Sequence, residues 1–160
     1  MPPHRRRPVP TLAITLDLRV PDVRPPLRGF IVRELRRLAL LAGVRRGTLG
    51  LAVVDGATMA RLHRRCLGIG GPTDVLTFDL RDQAKGELEG DIVICLPVAV
   101  REAAARGHTV RLEVLLYALH GLLHLLGYDD HRRADAARMH AREDQLLARA
   151  GHGVVFARPV

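Results

Sequence analysis

Across residues 11–19 every second position is aliphatic: Leu12, Ile14, Leu16 and Leu18 alternate with mostly polar neighbours. Period two marks a strand with one buried face, so a first strand is predicted there. The period then changes. Phe30, Ile31, Leu35, Leu38 and Leu41 recur at helical spacing, which predicts an amphipathic helix over 28–41 that ends near Gly43 and turns an arginine-rich face outward. Residues 49–54 read as a second strand, and Asp55 is a natural N-cap for a helix carrying Met59, Leu62, His63 and Cys66. Gly68, Gly70, Gly71 and Pro72 break that helix.

The segments 74–80 (DVLTFDL) and 91–96 (DIVICL) are rich in strand formers and are joined by a polar loop containing Gly86 and Gly90, which predicts a hairpin. Pro97 opens a short helix to about residue 106. Residues 109–126 are apolar on several faces, so this longer helix is predicted to be central and buried, with Gly127 ending it. A charged amphipathic helix over about 134–150 follows, and the chain closes on Pro159 and Val160. Strands mixed with helices predict an α/β (α+β) fold, a single layer of about four mixed strands packed with about five helices. Residues 1–10 read as a basic flexible tail and 11–160 as one domain, because no internal repeat or long linker interrupts the pattern.

Composition agrees with a packed core: 48% of the 160 residues are hydrophobic and 26% charged, which excludes disordered and low-complexity chains. Cys66 and Cys95 have no CxxC partner and suit a reducing compartment. The basic N-terminus is followed by no apolar run, since Pro8 and Pro10 interrupt it, and the apolar stretch 38–44 is far short of the roughly 20 residues of a membrane span. A cytoplasmic protein without membrane contact is expected. The formal charge is +8, and all but one of the 25 cationic residues are arginine, Lys85 being the sole lysine. Arginine grips phosphate bidentately, so this excess points to a polyanionic partner such as RNA or DNA. A general preference for arginine explains the choice of cation equally well, but not the net charge. Three Phe, two Tyr and no Trp leave too few rings for a surface of stacked bases.

The segment 120–131, HGLLHLLGYDDH, carries the chemistry. Residues four apart share a helical face, so His120 and His124 can aim their imidazoles at one metal ion. Gly127 turns the chain, and a third ligand six residues after His124 can return to the same ion; Asp130 holds that place, with His131 as the alternative if the turn is one residue looser. Three protein ligands leave a fourth tetrahedral position open, the arrangement of a catalytic zinc site at the end of a buried helix. One such ion would acidify water and polarise a phosphoryl or carbonyl oxygen. The spacing is also similar to the HExxHxxGxxH pattern of zinc proteases, but Gly121 stands where their general base is, and glycine takes no proton from water.

The segment closely resembles the signature HGxLHLxGYDH of the YbeY family. Counted from Asp130, Met139 and Glu143 fall where that family has Met and Glu, so Asp130 is in register with the family's third ligand. Upstream, GGPTDVLTF at 70–78 is similar to its DxPTDVLSF, and Gly90-Asp91-Ile92 to its GDI motif, so the resemblance covers roughly 60–147. It implies an α/β fold of a small sheet with packed helices. It further implies a zinc-dependent endoribonuclease and maturation factor acting on small-subunit ribosomal RNA, in contact with the small subunit or its assembly factors, with no DNA substrate. Thr73 and Asp74 would line the cleft beside the metal, although their local turn chemistry explains them equally well.

Two positions depart from the pattern. Asp130 replaces the commoner His, adding a negative charge that would make the bound water less acidic. His131 then becomes a partner or acid/base group, or simply faces solvent, and Asp129 is a candidate base or ligand-orienting group. The family's NxxYRxxD aligns with His63, Cys66, Leu67 and Gly70, so its functional arginine is Leu67 here, and Leu67 neutralises no phosphate. Arg64 or Arg65 could reach the same space, against their reading as a solvated helix face. Leu67 keeps a second function open: a ribosome-assembly factor that binds ribosomal RNA or a ribosomal protein, with the metal as a structural staple and little catalysis.

Overall fold

The computed structural model describes residues 11–19, 25–82 and 86–156; the basic tail at 1–10 lies outside them. The predicted alternation is observed in β1 (Thr11–Leu18), where Leu12, Ile14 and Leu16 are buried and Thr11, Ala13 and Thr15 are exposed. Helix α1 (Pro25–Leu41) starts three residues earlier than its apolar spacing predicts, because proline is tolerated in a first turn that has no amide bonds to lose. Strand β2 (Arg46–Val54) likewise begins before its apolar run. It pairs in parallel with β1 on one side and with β4 (Leu88–Cys95) on the other, so ladder bonds rather than side chains define its start. Between them lie α2 (Gly56–Leu67) and β3 (Val75–Asp79), and β3 forms the expected antiparallel hairpin with β4. The four-stranded mixed sheet runs β1-β2-β4-β3. Helices α3 (Leu96–Arg106), α4 (Val110–Leu125) and α5 (Arg133–Arg149) complete the described fold.

Strand alternation sends side chains to two faces of the sheet. Leu49, Leu51, Val53, Ile92 and Ile94 join α1, α4 and α5 in the main core, while Val54 and Cys95 pack with Met59, Leu76 and Val98 in a smaller cluster under α2. Helix α4 lies in the main core and is buried around most of its circumference, as its apolar sequence predicts. Two glycines let it approach the sheet closely. A Cβ on Gly121 would stand 2.9 Å from three carbons of Ile92, and one on Gly90 would stand 2.7 Å from the Leu125 side chain. The Gly121–Leu125 face is therefore held against β4, and His120 and His124, each one position earlier on the helix, line an open cleft together with β3. No helix of the described residues is long and apolar enough to cross a membrane.

Candidate metal centre and its cleft

His120 and His124 lie one turn apart near the C-terminal end of α4. Gly127, with φ +93°, lets the chain reverse direction there, and two returns follow. The Tyr128 carbonyl comes back to Nδ1 of His124 at 3.0 Å, and the Asp130 carboxylate comes back to the outer nitrogens of both imidazoles. Asp129 fixes this turn, its Oδ1 accepting the amides of Asp130 (2.8 Å) and His131 (3.2 Å).

Nε2 of His120 and Nε2 of His124 are 3.0 Å apart, and Asp130 carboxylate oxygens stand 3.4 Å and 3.6 Å from them. Donors placed about 2.0–2.1 Å from one tetrahedral ion would be separated by about 3.3 Å, so the two Nε2 atoms and the Asp130 carboxylate, which offers Oδ2 to His120 and Oδ1 to His124, stand at spacings suited to such a site. The inner nitrogens are committed elsewhere. Nδ1 of His120 donates to Oε1 of the fully buried Glu143 at 2.8 Å, and Nδ1 of His124 donates to the Tyr128 carbonyl. In the neutral imidazoles this leaves both Nε2 lone pairs and a carboxylate converging on one point, which is a cation site by charge and by tautomer. Burial disfavours protonated His120, but the Glu143 hydrogen bond and the charges of Glu143, Asp130 and Asp74 outweigh it and raise its proton affinity. The field that draws a proton also draws a metal cation.

The site opens on a cleft of about 920 Å³ whose wall includes Thr73, Asp74, Leu67 and the β3 strand. Thr73 and Asp74 thus stand beside His120, and their turn chemistry is present too: Asp74 Oδ1 accepts from Thr73 Oγ1 at 3.1 Å and from the Val75 amide at 2.8 Å. His131 turns its Nδ1 to Asp129 with its side chain 84% exposed; it reaches the rim of the cleft, and Asp130 takes the place at the two imidazoles. Asp129 is not part of the wall. Arg64 and Arg65 are exposed on the last turn of α2 and do not line the cleft, whereas Leu67, 60% exposed, does.

Two features of the site escape a reading by sequence spacing. Glu143 stands in sequence as one charged residue in a charged helix, yet it is fully buried and holds both His120 and, through Oε2 at 2.9 Å, His140. Its burial is signalled only by its phase with Met139, Leu146 and Leu147 on α5. Glu113, in the apolar run of α4, is also fully buried, and it meets His108 and Arg106, of which Arg106 lines the cleft.

Residues 30–151, from the first turns of α1 to just beyond α5, match the family model described as Endoribonuclease YbeY. A relative of that name from Moorella thermoacetica is 38% identical over 141 residues, which is 79% of this chain and 90% of the relative. Another of that name from Bifidobacterium animalis subsp. lactis is 43% identical over 107 residues, 62% of this chain and 59% of the relative. A Thermotoga maritima protein known from its solution structure is similar in fold, with a TM-score of 0.58 at 19% identity over 92% of this chain and 100% of that one. The signature turn on α4, the hairpin and the lining of the cleft apart from Phe156 fall within the matched residues, and the chain belongs to the Endoribonuclease YbeY family.

Proposed function

We propose that the protein is a zinc-dependent, single-strand-specific endoribonuclease that acts in the cytoplasm on small-subunit ribosomal RNA, in its maturation and in ribosome quality control. Its partners would be the small subunit or its assembly factors. The observation that carries this reading is the convergence of His120, His124 and Asp130 on one point in the wall of an open cleft, in a chain whose relatives are named endoribonucleases. Two imidazoles and a carboxylate are a donor set suited to zinc, and these three residues would hold one ion with a position left toward the cleft. When bound, zinc supplies Lewis acidity toward a phosphoryl oxygen and lowers the pKa of water.

The protein's own groups do the positioning. Glu143 and the Tyr128 carbonyl fix the tautomer and the plane of the two imidazoles. Asp129 holds the turn that delivers Asp130. Thr73 and Asp74 line the same cleft and would confine the backbone that carries the scissile phosphate.

A second reading rests on Leu67, an uncharged side chain at the mouth of the cleft: a metal-stapled assembly factor that binds ribosomal RNA or a ribosomal protein without cutting. The two separate when untagged protein is incubated with small-subunit ribosomal RNA fragments, with and without chelator, beside His120→Ala. The nuclease reading expects cleavage that chelator and the substitution both abolish. Salt-sensitive binding without cleavage, with cutting gained only in Leu67→Arg, would transfer the assignment to the assembly factor.

A further inference from the structure

The cleft is acidic where it should receive a polyanion. Asp74, Asp79, Asp130 and the buried Glu143 line it. Among the described lining residues a single arginine or lysine is present: Arg106, the last residue of α3. We infer that Arg106 is the phosphate-gripping residue of this cleft, binding the RNA backbone at a nucleotide adjoining the one held at His120, His124 and Asp130. This rests on the endoribonuclease reading and adds a binding residue to it.

Two contacts hold the guanidinium in place. Nη1 stands 3.3 Å from Oε1 of Glu113, an oxygen that accepts no hydrogen bond, while the other carboxylate oxygen is paired with His108. The guanidinium also lies over the Phe156 ring at 5.6 Å from its centroid. Phe156 is itself fixed, stacked on His140 at 3.8 Å, with its amide and that of Val155 donating to Oδ1 of the buried Asp144. One carboxylate contact occupies few of the five N–H donors, and the Arg106 side chain stays 35% exposed on the cleft wall. A cation anchored by its neighbours and open on its remaining edge loses little freedom when it binds phosphate.

Its place along the cleft sets which phosphate it meets. Glu113, its anchor, is seven residues before His120 on the same face of α4, about 10 Å along the axis. Arg106 is therefore offset from the metal centre and serves binding and register.

The test measures RNA binding across a salt series, together with KM and kcat for cleavage, on a short single-stranded RNA. Wild type is compared with Arg106→Gln, Arg106→Lys, Arg36→Gln and the pair Arg106→Gln/Glu113→Gln. The pair removes the buried carboxylate that the single change leaves without its arginine, so it separates lost binding from lost folding. Arg106→Gln and the pair are expected to bind about tenfold more weakly, with KM raised more than kcat is lowered. The slope of log affinity against log salt should fall by about 0.7, the loss of one phosphate contact on a single strand. Arg106→Lys should keep the slope and lose part of the affinity, and Arg36→Gln, the same charge removed from exposed α1, should leave KM near wild type. Wild-type slope and KM in both the single and the paired variant, with wild type cutting normally, would overturn the role of Arg106. A wild type that neither binds nor cuts RNA would instead overturn the endoribonuclease reading, and this inference with it.

Discussion

At the scale of single residues, the site depends on groups behind the three donors. Glu143→Gln keeps the shape but removes the carboxylate that accepts from His120 Nδ1. Zinc affinity should fall about 10- to 100-fold, read by competition against a chromophoric chelator, while far-ultraviolet circular dichroism stays unchanged. Wild-type affinity in that variant would show that the buried carboxylate does not tune the site. Gly121 acts through space instead of charge. Alanine there must displace Ile92, three of whose carbons lie 2.9 Å from the added methyl, so Gly121→Ala should cost about 1–3 kcal/mol in denaturant unfolding, and Ile92→Val should restore part of it. In sequence Gly121 speaks by its place in the signature and by the absence of a base there. Its packing role needs the partner strand, which no local pattern supplies. The three donors themselves were legible, because helical spacing and a glycine stop are local features.

At the scale of elements, apolar period located each helix and strand of the described fold, and its errors at strand starts have a common cause. Strands β2 and β4 extend beyond their apolar runs into Arg46, Gly47 and Glu89, where ladder pairing to a neighbouring strand replaces side-chain burial as the organising force. The Asp55 cap was readable, and its Oδ1 accepts the Thr58 amide at 2.7 Å; the cap of α4 was not singled out. Thr109 Oγ1 accepts the Leu112 amide at 3.3 Å and starts the helix that carries the histidines; Thr109→Ala should cost about 1 kcal/mol in thermal or denaturant unfolding, without altering the donor geometry. The segment after α5 was not readable, since it is held by polar contacts from distant elements: His152 to Glu34 of α1 at 3.0 Å, and Asp144 to the amides of Val155 and Phe156. Burial pushes the Glu34 carboxyl up, but hydrogen bonds and charges from His152 and Arg33 outweigh it and hold it below the ordinary glutamate range. A depressed native value stabilises the fold fully above the unfolded-state value and loses that contribution as pH falls through the native one. The stability gap between wild type and Glu34→Gln should therefore be steady near neutrality and shrink below about pH 4.3; a gap that grows in acid would contradict the assignment.

At the scale of the whole molecule, the order β1-β2-β4-β3 was beyond reach of the sequence pattern, because parallel neighbours are joined through helices and their pairing leaves no local mark. The fold class and the central place of α4 were legible from mixed periods and from a helix apolar on several faces. The charge has the opposite distribution to the one its total suggests: the chain carries +8, yet the described cleft wall holds several carboxylates and one arginine. RNA affinity should consequently fall less steeply with salt than the total charge suggests, because binding in the cleft depends on few cationic groups. The central claim is that His120, His124 and Asp130 form a single metal centre that RNA cleavage requires. It is tested most directly by adding zinc in steps to metal-free protein while following cleavage of a single-stranded segment of small-subunit ribosomal RNA. The account predicts a rate that climbs to a plateau at one equivalent and stays flat in Asp130→Ala; full cleavage by the metal-free protein would contradict it.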